Sequence, residues 1–255
     1  MSNTKRVDKD LFREAHYLGK PADDEDKIIS RRIAVLERYP EFFNRSLNCI
    51  EVGCGSGATI TRVANRFSQS LGIDIFYYAQ QFEQQKLKNG ASNCEFKKVD
   101  LEKENLNMQF DRLISFEVIE HLRNENSVIA YADALKEGGL AAITVPNKWW
   151  IFETHGAKLP LLPWNRVPFF SWLPRKIHER YANARIYTAQ RIIDLLEKNK
   201  FTVIDYCYIT APMDVLKEGR LKRFLVKNIF KGDSTRVPLL STSIFVMAQK
   251  KTANG

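Results

Sequence analysis

An apolar strand signal, Leu47-Asn-Cys-Ile-Glu-Val52, runs directly into Gly53-Cys-Gly-Ser-Gly57. It then enters a segment, Ala58 to Phe67, in which Ile60, Val63, Ala64 and Phe67 recur at helical spacing. A strand that turns through glycines into a helix limits the fold more than any other stretch of this chain. Glycine reaches positive φ without steric penalty and lets a ligand approach the backbone, and the helix that follows opens with unpaired N–H groups. In an open α/β sheet such a turn lies at the carboxyl ends of the strands, where ligands bind.

The rest of the chain supplies partners for this unit. Strand-like segments recur at 70–75 (SLGIDI), 94–99, 111–116 (DRLISF) and 140–145 (LAAITV), separated by helical patterns at 76–88 and 124–136. An earlier helical pattern, Asp24 to Tyr39, carries Ile28, Ile29, Ile33 and Leu36 and ends at Pro40. Later come a helix at 189–199 that Thr188 can cap, strands at 201–209 and 243–248, and a basic helical connector at 214–231. Strands alternating with helices predict a doubly wound, mostly parallel α/β sheet. Pro146 to Tyr187 breaks the rhythm with five of the nine prolines and all four tryptophans, and reads as an aromatic, proline-rich cap over the strand ends. The 255 residues then form one domain: an arm and helix (1–46), a ligand-binding core (47–147), the cap (148–187) and a C-terminal sheet half (188–255).

Acids stand at the strand ends in a telling order. Asp74 follows Gly53 by 21 positions, where a carboxylate can accept hydrogen bonds from both ribose hydroxyls. Asp100 closes the third strand and can accept from an adenine amino group, and Phe116-Glu117 closes the fourth. GxGxxA alone also fits a dinucleotide fingerprint. The pieces EVGCGSG (51–57), GIDI (72–75), VDLE (99–102), FDRLISFEVIEHL (110–122) and KEGGLAAITVPN (136–147) together resemble the class I S-adenosylmethionine-dependent methyltransferases, in their order and over most of residues 47–147. The resemblance implies a seven-stranded sheet with its last strand antiparallel, and S-adenosylmethionine as cofactor. It places Glu51, Gly53, Cys54, Gly55 and Gly57 in the cofactor loop and Asp74 with Ile75 at the ribose. Asp100 and Leu101 fall at the adenine, and Phe116 and Glu117 along the methionine and adenine side.

Methyl transfer from a sulfonium asks the protein mainly for orientation and a dry site. An oxygen nucleophile needs its proton removed, and histidine is the commonest base. His121 follows the fourth strand and, with His155, is the catalytic candidate; His178 also falls in the cap, and His16 in the arm. Glu117, Glu120 and His121 have the i, i+3, i+4 spacing of one helical face, which suits a divalent cation with His155 as a fourth ligand. ExxEH with a distant histidine resembles the small-RNA 3′-end methyltransferases and some quinone O-methyltransferases, which use a metal. Metal-free relatives carry EVIEH too, so no metal is assigned from sequence.

Charge divides the chain. Residues 1–147 hold 20 Lys/Arg against 22 Asp/Glu, and the remainder 19 against 8, so the net +9 belongs to the C-terminal part. The cofactor motif with an apolar, basic cap predicts a small or lipid-linked acceptor, methylated at oxygen, and leaves contact with a membrane surface open. RNA-directed methylation, or cofactor binding without catalysis, are the alternatives. Cys49, Cys54, Cys94 and Cys207 form no CxxC pair, the first residues contain no apolar leader, and no run approaches the ~20 apolar residues of a membrane helix. These features predict a cytoplasmic protein, with a peripheral place at the membrane left open.

Overall fold

The computed structural model describes residues 26–153, 155, 168–213 and 216–252; His16 and the LPLLPW stretch of the cap lie outside them. One sheet unites all the strands among these residues. They are β1 (Asn48–Val52), β2 (Gln69–Asp74), β3 (Cys94–Lys98), β4 (Phe110–Phe116), β5 (Leu135–Pro146), β6 (Phe201–Thr210), β7 (Ser234–Thr235) and β8 (Ser241–Lys250). Their spatial order is β3-β2-β1-β4-β5-β8-β6-β7. The first five pair in parallel, and β8 runs antiparallel between β5 and β6. Seven of these strands make the expected sheet. The eighth, β7, corrects the count: after β6 the chain returns along its edge and pairs Thr235 with Tyr208 and Ser234 with Ile209.

Seven α-helices complete the described residues: α1 (Lys27–Leu36), α2 (Ile60–Val63), α3 (Ala79–Lys88), α4 (Ile129–Ala134), α5 (Arg175–Tyr181), α6 (Ala189–Lys198) and α7 (Arg220–Asn228). Two of them share their sequence pattern with a 3-10 turn. The helix expected over 58–67 is α2 followed by a 3-10 turn at Ala64–Arg66. The helix expected over 124–136 is a 3-10 turn at Glu125–Val128 followed by α4, because Leu135 is already extended and pairs with Phe110.

Strand alternation divides the core into two layers. On one face Ile50, Leu113, Ile143, Val246 and Ala248 pack with Tyr131, Ile192 and Leu196. On the other, Cys49, Ile114, Ala142, Phe245 and Met247 pack with Ile33, Leu36, Phe42 and Ile60. Tyr131, Phe42, Phe82, Phe201 and Phe245 are fully buried, and each such side chain is worth about 1.5–3 kcal/mol of transfer free energy. The strand order reverses at β1, which lies between β2 and β4. That reversal opens a crevice beyond the carboxyl ends of these strands.

Candidate active site

The crevice is a cavity of about 730 Å³. Its floor is the glycine turn after β1. Gly53, Gly55 and Gly57 all have positive φ (70°, 51° and 84°). At Gly53 the need is doubled: a Cβ would stand 2.4 Å from Cγ2 of Val118. The Gly57 N–H donates to the Cys54 carbonyl, and the Cys54 N–H to Ile73 at the end of β2, so the turn is closed and tied to the sheet.

Two acids brace this turn. Glu51 is buried, and its Oε2 accepts from the Ile60 N–H at 2.9 Å, capping the start of α2. Burial pushes its carboxyl up to about 8, against the downward pull of that hydrogen bond. Asp74 accepts from the Gly55 N–H through Oδ2 and from the Phe76 N–H through Oδ1, both at 2.9 Å. Burial raises its carboxyl too. Asp100 Oδ1 accepts from the Glu102 N–H at 3.0 Å, and its Oδ2 lies 2.9 Å from Lys103 Nζ. Burial pushes the Cys54 thiol far above its ordinary range, so it serves packing and not nucleophilic chemistry.

The fold brings nearly all the sequence candidates to one place. Glu51, Gly53, Cys54, Gly55, Asp74, Ile75, Asp100, Leu101, Phe116, Glu117, His121 and His155 line the cavity. Gly57 stands behind the wall, where a Cβ would strike Phe82 at 2.6 Å. His178 is a packing histidine of the cap. It is fully buried outside the cavity wall, with Nε2 2.6 Å from Glu153 Oε2. The other Glu153 oxygen accepts from the His155 N–H at 3.0 Å, so this pair holds the backbone of His155.

After β4 the ExxEH segment is not the helical turn its spacing predicts. Glu117 takes φ 59°, and a 3-10 turn follows at Ile119–His121. The side chains converge all the same. His155 Nε2 lies 3.6 Å from Glu120 Oε1 and 3.9 Å from Glu117 Oε2, and His121 Nε2 lies 4.0 Å from Glu120 Oε1. Ligand atoms of Glu120, His121 and His155 all fall within 4.8 Å of one another. Glu120 is fully buried, and neither of its oxygens has a hydrogen-bond partner among the described residues. Burial and then the charge of Glu117 hold its carboxyl well above the usual range. Burial, with the charge of His155, brings the His121 imidazole down to about 3, so it is neutral at pH 7.

Several wall residues escape sequence reading. Arg32 of α1 reaches over the Phe116 ring and places a guanidinium nitrogen 3.3 Å from Glu117 Oε1. A charged residue in the apolar stripe of Ile29, Ile33 and Leu36 was the available signal. Tyr131 and Met213 also face the cavity, and Trp150 and Phe152 of the expected aromatic cap join them there. The model of the methyltransferase domain family matches residues 23–206. The chain belongs to this family, the S-adenosylmethionine-dependent methyltransferases.

S-adenosylmethionine is the cofactor that goes with this membership. Among curated proteins this methyltransferase is similar to a ubiquinone biosynthesis O-methyltransferase of Bradyrhizobium sp. (strain ORS 278), 26% identical over 147 residues, 53% of this chain and 54% of that one. It is also similar to the protein of that name from Bartonella quintana (strain Toulouse), 25% identical over 184 residues, 65% of this chain and 64% of that one. The chain therefore spans between about half and two thirds of the length of these relatives. Among solved structures it is similar to the N-methyltransferase NodS from Bradyrhizobium japonicum WM9 in complex with S-adenosyl-l-homocysteine. The TM-score is 0.56 at 14% identity, over 96% of this chain and 99% of that one. At that identity the likeness shows the fold alone.

Proposed function

We propose that this methyltransferase moves the methyl group of S-adenosylmethionine to an oxygen of a small, apolar or lipid-linked acceptor, with a divalent cation beside the acceptor. The observation that carries this reading is Glu120: a fully buried carboxylate without a hydrogen-bond partner among the described residues, facing two imidazoles inside the cavity. Such a carboxylate is costly unless protonated or bound to a cation. Two carboxylates and two histidines form a donor set that suits a first-row divalent ion. A neutral His121 is ready to ligate. The curated relatives support oxygen as the target, since both are O-methyltransferases by name.

In this reading Glu117, Glu120, His121 and His155 hold the cation, which when bound acidifies a hydroxyl and orients it. Glu51 and the glycine turn shape the cofactor loop, Asp74 receives the ribose, and Asp100 with Leu101 receives the adenine. Phe116 and Glu117 flank the methionine side. Asp74 would exchange the Gly55 N–H for ribose hydroxyls or share its oxygens between them. Trp150, Phe152 and Met213 give the acceptor an apolar wall that excludes water. Without a cation, His155 at the same spot would be the base.

The test uses labelled S-adenosylmethionine and an alkylated catechol as acceptor probe. An O-methyl ether should form, EDTA should abolish its formation, and Mg²⁺, Mn²⁺ or Zn²⁺ should restore it. Glu120→Gln should lower turnover at least about 100-fold, the scale of losing a charge-stabilising group, while cofactor affinity holds. Full activity in EDTA would remove the cation and return the role to His155. A methylated carbon or nitrogen would overturn the choice of oxygen.

A further inference from the structure

The basic connector after β6 contains α7, whose two sides are both apolar. Its inner side, Leu225, Val226 and the following Phe230, packs against Trp150, Ala211 and Met213. These three also line the cavity. The outer side leaves Leu221 66% and Phe224 59% exposed, one helical turn apart, and Ile229 is exposed just beyond the helix. Val237 and Leu239 are exposed in the segment that follows. Among these apolar side chains stand Arg220, Arg223, Lys227, Lys231 and Arg236, all exposed. Residues 216–240 hold seven Lys/Arg against two acids, and one of those acids, Glu218, is tied to Lys222 at 2.6 Å.

Water gives no reason for a helix to present leucine and phenylalanine on its outer side. An anionic bilayer does: apolar side chains enter the headgroup boundary while flanking lysines and arginines meet lipid phosphates. We infer that the outer face of α7 is a membrane-interface surface for anionic lipid, seated directly above the apolar wall of the cavity. Polyanionic RNA would engage the cations but leaves Leu221 in water, so the apolar face favours lipid. The surface goes beyond the choice of methylated atom. Its use in presenting a lipid-linked acceptor rests on the acceptor proposed above, and the helix would then bring cavity and bilayer together.

Co-sedimentation with vesicles tests it, using phosphatidylcholine alone or mixed with phosphatidylglycerol, with an RNA oligonucleotide as competitor. The full chain should bind the mixed vesicles, release them at high salt and ignore phosphatidylcholine. Arg223→Gln with Lys227→Gln should weaken binding about thirtyfold, since each basic residue near an anionic surface is worth a several-fold factor. Leu221→Asp with Phe224→Asp should abolish it. S-adenosylmethionine affinity, read by calorimetry, should stay unchanged in both variants and certifies their folding. Equal vesicle binding by the full chain and both variants overturns the proposal. So does RNA binding that displaces vesicles and survives Leu221→Asp with Phe224→Asp. Failure of an alkylated catechol to be methylated would strike the acceptor reading and leave the vesicle result standing.

Discussion

Glu51 shows how one side chain serves both fold and site. It is the penultimate residue of β1, caps α2 and lines the cavity, all from a buried position. Its folded pKa of about 8 lies above the ordinary 4.5. The native state therefore keeps a proton that the unfolded chain releases between those values. Glu51 contributes stability that is complete below about pH 4.5 and is lost as the pH rises through about 8. The cofactor-free protein should melt progressively lower from about pH 5 to about pH 9, and Glu51→Gln, which keeps an acceptor for the Ile60 N–H, should flatten that slope. Equal slopes in a calorimetric pH series would contradict this. Residues of this kind were legible in sequence because strand ends and glycine spacing fix them locally. Arg32 and Met213 were not, since each reaches the cavity from an element distant in sequence. The packing place of His178 fits a cap histidine, but its partner Glu153 is brought beside it only by the tertiary fold.

Elements were legible where their signal is local. α6 begins at its expected cap: Thr188 Oγ1 accepts from the Arg191 N–H at 3.2 Å. Thr188→Ala should cost about 1 kcal/mol in urea unfolding; a loss under a few tenths would show that the packing of Ile192, Leu195 and Leu196 alone holds the helix. The inner strands follow from apolar runs and alternation, and they appear where the sequence puts them. Helix lengths were less legible. Apolar spacing continues from α2 into Phe67 and from α4 into Leu135, yet the chain leaves helical geometry earlier because sheet pairing and 3-10 turns claim those residues. The ExxEH segment is the instructive case. Its spacing predicted convergence, and convergence is achieved, but through a left-handed Glu117 and a 3-10 turn. A left-handed residue with a Cβ stores strain of order 1 kcal/mol, and such positions cluster at functional sites.

At the scale of the molecule, the near-neutral first 147 residues build the glycine turn, the bracing acids and the Glu117–His121 segment. The positive charge accumulates beyond them, much of it around α7. No helix among the described residues is long and apolar enough to cross a membrane. The candidate cofactor residues and the basic, apolar face of α7 therefore lie apart in the chain and meet at Trp150, Ala211 and Met213. The central claim is that the crevice at β1 receives S-adenosylmethionine through the glycine turn and Asp74. Isothermal calorimetry with S-adenosylmethionine on the full chain and on Asp74→Ala tests it most directly. The full chain should bind at one site, and the variant at least about tenfold more weakly, as expected for loss of hydrogen bonds to a charged group. Equal affinities, or no binding to the full chain, would contradict it.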